Sequence, residues 1–402
     1  MSDRGFSTIR IAGEERKPEP DKWAPLALGF RPFFLLGIWF AVLLMLISLG
    51  GFASGIWHYN YFELPLWHAH EMVFGYATAV IAGFLLTSVR NWTGLPTPSG
   101  KALALLALLW LAPRLLSALP LLPPPLFALL DMLFLPVLAV VLARPLLQAR
   151  QPHNYPVPLL LLLLALCNTG VHLDVLGLLE GVSKPAMQIA VCLIVALVVM
   201  IAGRVVPFFM QRSIGSRPAG NKWIETLALP SVLLVAITIA AATPWLMIIA
   251  TLLAAVVQTV RLIGWFDRGL LREPMLWVLH VGYAWLIAGF LLYALAVLVD
   301  LPTVQAVHAW TVGGIGMFTL GMMARVALGH TGRNIVALSW IPAAFILLFI
   351  AALARVLLPI IRPELLDMSV HISATCWIIA FIIIGIRYSS ILMRARADGQ
   401  PG

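Results

Sequence analysis

Histidine supplies most of the chemistry this sequence could carry, and its placement is uneven. Nine histidines occur in 402 residues. His68 and His70 stand two apart in WHAHEM, His172 follows Asn168 by four positions, and His308 comes just before Trp310. His371 follows Asp367 by four positions, while His280 and His330 lie in or beside other apolar stretches. A neutral imidazole can ligate a transition metal or a haem iron without bringing a charge into apolar surroundings. The alternative for each ring is an interfacial residue hydrated at a helix end. That alternative fits His58, and it fits His371 if the ring hydrogen-bonds to Asp367 one turn earlier. His153, in a polar stretch, needs no further account.

The surroundings of these residues decide how they are presented. Hydrophobic residues make up 61% of the chain and charged residues 11%, with a mean hydropathy of +0.98. A soluble domain would have roughly a quarter of its residues charged, so the chain belongs in a membrane. A hydrocarbon core about 30 Å thick asks for roughly 20 apolar residues per helical pass. The apolar runs here are continuous, whereas barrel strands alternate over about ten residues. The fold class is therefore all-α, a polytopic bundle of about twelve transmembrane helices.

Apolar windows place helices at 27–50, 67–89, 101–120, 124–147, 156–179 and 185–208. The second set falls at 223–241, 244–264, 274–299, 305–328, 335–359 and 367–393. The polar break at 209–222 separates six from six and is a loop, not a linker between domains. Residues 1–26 read as a polar cytoplasmic tail without the apolar stretch or cleavage site of a signal peptide. Residues 27–395 form one transmembrane domain and 396–402 a second cytoplasmic tail. Cys167, Cys192 and Cys376 all fall in apolar runs, an odd set that indicates no disulfide framework.

With the amino terminus in the cytoplasm, every basic residue except Arg114, Lys184, Arg355 and Arg362 falls on a cytoplasmic segment, a strong positive-inside bias. The net charge of +9 is then met by topology and anionic lipid headgroups, and no nucleic-acid partner is needed. In this orientation His58, His68, His70, His172, His308 and His371 gather toward the periplasmic face, and His280 and His330 toward the cytoplasmic one. Ionisable groups within a membrane mark functional candidates. Six histidines at one face point to a metal or haem site.

Helical geometry restricts the ligand sets. His68 and His70 are about 200° apart around a helix and cannot serve one centre. Met72 shares the His68 face, and Asn168 can orient His172 as groups behind metal ligands commonly do. Arg114 and Arg355 lie in the outer halves of helices, where a guanidinium is costly. Haem propionates would suit them through paired hydrogen bonds, and snorkelling to headgroups is the alternative. Gly313, Gly314 and Gly316 suit close helix packing or the approach of a flat macrocycle.

At WHAHEMVFGY (Trp67 to Tyr76) the sequence resembles the NnrS family, membrane proteins associated with bacterial responses to nitric oxide. The likeness continues through GFRPFFLL (from Gly29), GFLLTSVRNWTG (from Gly83) and GRVVPFF (from Gly203). It ends with LHVGYAW (from Leu279) and HAWTVGGIGMFTLGMMARVALGHTGR (His308 to Arg333). One departure is Arg90, where the family more often has Pro. The resemblance implies a haem- and copper-containing protein of the bacterial inner membrane that protects against nitrosative stress. His68, His70, His280, His308 and His330 match the family-type histidines, and the motif does not say which of them bind metal. A weaker likeness is to the main subunit of haem–copper oxidases, in which a haem-ligating histidine opens the second helix. The second early histidine of helix 10 and an adjacent histidine pair are missing here, so that copper set is not reproduced.

The expectation is thus a b-type haem between His68 and His308, with Arg114 and Arg355 as propionate partners. A second metal, copper, would use some of His70, His172 and His371, and nitric oxide or a related small molecule would be the partner. Catalysis does not follow from the sequence. Two rivals remain at this point. One is a secondary transporter, for which Asp131 is the main coupling acid. The other is a quinol-linked haem electron carrier, with His280 and His330 in a quinol site or a second metal centre.

Overall fold

A computed structural model describes residues 22–57, 61–117, 122–218 and 220–400. His58 and most of the amino-terminal tail lie outside the described residues. Twelve helices are long and apolar enough to cross a membrane: α1 (Phe30–Ser54), α2 (Leu64–Thr93), α3 (Gly100–Ser117), α4 (Pro124–Gln148), α5 (Pro152–Val175), α6 (Ser183–Ile214), α7 (Lys222–Ala240), α8 (Pro244–Gly264), α9 (Pro274–Leu298), α10 (Val304–His330), α11 (Ile341–Ile361) and α12 (Pro363–Met393). No named strand occurs among the described residues.

Local sequence marks the ends of these helices. Proline stands in the first two positions of α2, α8 and α9, where its missing N–H costs nothing. The Asn221 side chain caps α7 by accepting from the Trp223 and Ile224 amides. Gly55 ends α1 in the left-handed conformation, at φ 67°, and returns its N–H to the Gly51 carbonyl. The two chain ends meet, because Ala24 N–H donates to Met393 O and Ala395 N–H donates to Lys22 O, each at 2.8 Å. The bundle therefore has a termini-bearing end and an opposite end, and the helices alternate between them.

Burial sorts the helices into layers. In α10, 94% of the most apolar window is buried, in α2 78% and in α6 72%, against 33% in α3 and 39% in α7, α8 and α11. Thus α2, α6 and α10 form the inner group. Helix α12 packs on α1 and α11, α9 on α8 and α10, and α5 on α4 and α6. The outer helices present leucine and isoleucine to the lipid, as Leu105, Leu166, Ile249 and Ile263 show by their exposure.

Two inner helices depart from α geometry at matching places. In α2 the segment Glu71–Ala77 is π-helical, and in α10 so is Ala309–Gly316. Each begins immediately after a histidine, His70 or His308. Such wider turns inside α-helices recur at functional sites. The α10 glycines have a packing reason. A Cβ on Gly313 would lie 2.4 Å from Trp285 and one on Gly316 2.9 Å from Trp377. The protein's own indoles fill those faces, so the approach of a macrocycle expected as one use of these glycines has no room there.

Candidate functional site

The inner helix α2 and its neighbours α4 and α5 bring a set of polar side chains together toward the end opposite the termini. His70 from α2, Asp131 from α4 and His172 from α5 each offer one ligand atom, and the three atoms lie within 4.8 Å of one another. Asp131 Oδ2 is 3.0 Å from His172 Nε2 and 3.4 Å from His70 Nε2. All three residues are buried, His70 and His172 completely. Ligand atoms about 2.0–2.1 Å from one tetrahedral ion stand roughly 3.3 Å apart, which is close to these separations.

The remaining nitrogen of each ring is held from behind. His70 Nδ1 meets Glu71 Oε1 at 3.1 Å, and His172 Nδ1 meets Tyr61 Oη at 2.7 Å. This is how metal-bound imidazoles are usually oriented. Asn168 accepts from His70 Nε2 at 2.9 Å and donates to Asp131 Oδ2 at 2.9 Å. Asp131 Oδ1 lies 2.8 Å from Arg114 Nη1 but accepts no aligned hydrogen bond.

Charge is compensated inside the cluster. Arg114 Nε donates to Glu71 Oε2 at 3.1 Å, and its other nitrogens reach the Trp110 and Phe74 carbonyls at 3.1 and 2.7 Å. Both nitrogens of His70 face oxygen acceptors, so the ring either carries both protons or exchanges the Nε2 proton for a metal ion. Either cation, with Arg114, offsets Glu71 and Asp131. Gly75 makes room for this, because a Cβ there would lie 2.7 Å from Glu71 Oε2. Aromatic rings close the cluster: Phe62 and Phe74 stand 4.7 and 5.1 Å from His70, and Phe127 6.2 Å from His172.

A second pair of histidines lies at the same end. His68 on α2 and His308 on α10 are near enough to interact electrostatically, and both lie near Arg355 of α11. His68 Nδ1 bonds to Ser48 Oγ at 3.0 Å, and that hydroxyl donates to the Leu44 carbonyl at 2.8 Å. The hydroxyl therefore accepts from His68. His308 Nδ1 donates to the Val304 carbonyl at 2.7 Å. Both rings are thus fixed with hydrogen on Nδ1, which leaves Nε2 as the atom with a free lone pair. Arg355 Nη1 is buried without a hydrogen-bond partner, which suits a carboxylate of a bound group.

The expected site residues therefore divide. His70 and His172 come together, with Asp131 rather than His371 as the third member of the group. His371 is exposed on α12 and the structure does not bring it to them. His68, His308 and Arg355 come together as a separate set. Arg114 was expected beside a haem carboxylate, but its guanidinium is taken by Asp131, Glu71 and two carbonyls, and it stands in the first cluster. His280 is buried on α9 and bonds to its own helix at the Leu276 carbonyl, at 2.9 Å. Its Nε2 is buried without a partner. His330 packs 5.8 Å from Phe30, at the termini-bearing end, and among the described residues neither stands in the group of His70, Asp131 and His172. Asp131, considered for ion coupling, has Arg114, Asn168 and His172 around its two oxygens. Glu71, Tyr61 and Ser48 were not foreseen, although Glu71 in the middle of WHAHEM is an acid in apolar sequence and was the available signal.

A family model described as NnrS protein matches residues 24–396, nearly the whole chain. No curated protein matches the chain.

Proposed function

The chain belongs to the NnrS family, and from that premise we propose that it is a haem- and copper-binding protein of the bacterial inner membrane that serves the response to nitric oxide and nitrosative stress. The observation that carries the proposal is the convergence of His70, Asp131 and His172 within 4.8 Å, with each imidazole fixed from behind. Two imidazoles and a carboxylate form a donor set that copper accepts, as iron(II) and zinc do, and the family resemblance points to copper among them. Haem fits the second set, where His68 and His308 present Nε2 and Arg355 keeps a buried, unpartnered donor for a propionate. Copper and haem iron would supply one-electron exchange, and the copper, with three protein ligands, an open position for nitric oxide.

The chain's own residues have definite tasks in this account. Glu71 and Tyr61 hold the two metal-facing rings, Arg114 holds Asp131 and balances charge, and Phe62, Phe74 and Phe127 keep water out. Ser48 and the Val304 carbonyl fix the tautomers of the haem-facing pair. The excess of basic residues at the termini-bearing end supports a cytoplasmic position for that end, which would put both centres toward the periplasm. Absorption spectroscopy and metal analysis of protein purified after ample haem and copper supply test the proposal. The expected result is a Soret band lost in His68→Ala and copper lost in His172→Ala, each without loss of the other. Wild-type protein with neither a Soret band nor copper would overturn it.

A further inference from the structure

The termini-bearing end holds a crevice of about 370 Å3 between α5, α6, α7 and α8, lined by His153, Met200, Arg204, Thr226, Leu229 and Arg261 among others. That volume is in the range of small-ligand sites. Its charges are not balanced. Arg261 is neutralised by Glu225 through contacts of 2.9 and 2.5 Å. This pair is seated against α6 because residue 203 is glycine; a Cβ there would lie 2.9 Å from Glu225 Oε2 and closer still to Arg261.

Among the described residues Arg204 has no such acidic partner. It donates to the Asn154 side chain and to the His153 carbonyl, and it stands 5.4 Å over the Trp92 ring. All three groups are neutral. They fix the position of the guanidinium without removing its charge, and further N–H groups remain to donate. His153 adds a donor, because its Nε2 accepts from Asn154 Nδ2 at 3.2 Å, which leaves the hydrogen on Nδ1. Pro230 contributes in the opposite sense. It brings no N–H to the Thr226 carbonyl one turn back, so an acceptor lines the same crevice. Pro156, Met200 and Leu229 supply an apolar wall.

We propose that this crevice binds the phosphoglycerol headgroup of an anionic phospholipid. Arg204 and His153 would donate to the phosphate, and the Thr226 carbonyl would accept from a glycerol hydroxyl. The acyl chains would lie on the apolar wall. Basic pockets between membrane helices at the cytoplasmic side are where anionic headgroups are held. The site is separate from the histidine clusters, which lie toward the opposite end, and does not depend on their metal content.

Native mass spectrometry of the purified full chain, with phosphatidylglycerol and phosphatidylcholine offered in equal amounts, tests this. The wild type should retain one phosphatidylglycerol selectively, and rising salt should weaken it while leaving phosphatidylcholine unchanged. Arg204→Gln should weaken retention about tenfold or more, the effect of losing a charge-assisted hydrogen-bonding partner. Arg204→Lys should keep most of it. Arg212→Gln, whose guanidinium lies over Phe208 outside the crevice, should change nothing. Equal retention by wild type and Arg204→Gln, or no lipid selectivity in the wild type, would overturn the proposal. Displacement of the lipid by inorganic phosphate alone would assign the site to a soluble anion and overturn it equally.

Discussion

Replacing Arg114 by leucine is the sharpest test of how the buried cluster is held. Arg114 lies 2.8 Å from Asp131 Oδ1 and 3.1 Å from Glu71 Oε2, and it donates to the Phe74 and Trp110 carbonyls. The arginine and both carboxylates are buried. Breaking a buried pair by removing one partner costs about 3–5 kcal/mol, because the other charge stays behind uncompensated. Arg114→Leu leaves two carboxylates facing one histidine cation, so a loss in that range is expected. Asp131→Leu should cost a similar amount, because it leaves Arg114 and the His70 cation against Glu71 alone. The double variant restores balance, with Glu71 against His70, and should lose at least about 2 kcal/mol less than the sum of the singles. Unfolding by a denaturing detergent in mixed micelles, followed by tryptophan fluorescence, gives the three differences. Losses that simply add, or a single-variant loss below about 1 kcal/mol as for a solvated pair, would refute the charge accounting.

Tyr61→Phe removes the bond to His172 Nδ1 at 2.7 Å and should weaken copper binding by about 10–100-fold, as read by competition with a chelator. His308→Ala should abolish the Soret band, while His330→Ala, at the other end of α10, should leave it unchanged. His371→Ala should leave copper content unchanged, since that ring is exposed on α12. Gly289→Ala should destabilise the protein by about 1–3 kcal/mol without selective loss of either metal, because a Cβ there would fall 2.3 Å from the Trp310 ring; a melting curve checks it.

Helix number and order are legible in the sequence because each apolar window is long and few windows are interrupted. Helix ends are less so. Helix α6 runs to Ile214, beyond the expected 208, because tertiary contacts carry it through Pro207. The separation of His68 from His70 follows from spacing alone, since both lie in the α-helical stretch Leu64–His70. They face different neighbours, Ser48 and Asn168. What spacing could not supply was which helices lie side by side. Asp131 joins His70 and His172 only because α4 and α5 pack beside each other near α2. The same gap made His371 look equivalent to His172, although its helix packs against α1 and α11. Arg114 was legible as a costly buried cation, but its partners lay on helices whose adjacency no motif records. The π-helical turns after His70 and His308 leave no mark in hydropathy.

The most direct measurement on the central claim is copper-edge X-ray absorption on protein purified with stoichiometric copper. The account predicts only nitrogen and oxygen neighbours at about 2.0 Å, with the outer-shell scattering of two imidazoles, and no such signal from His172→Ala, which loses the copper. A sulfur neighbour, or a spectrum unchanged by loss of His172, would place the copper elsewhere and contradict it.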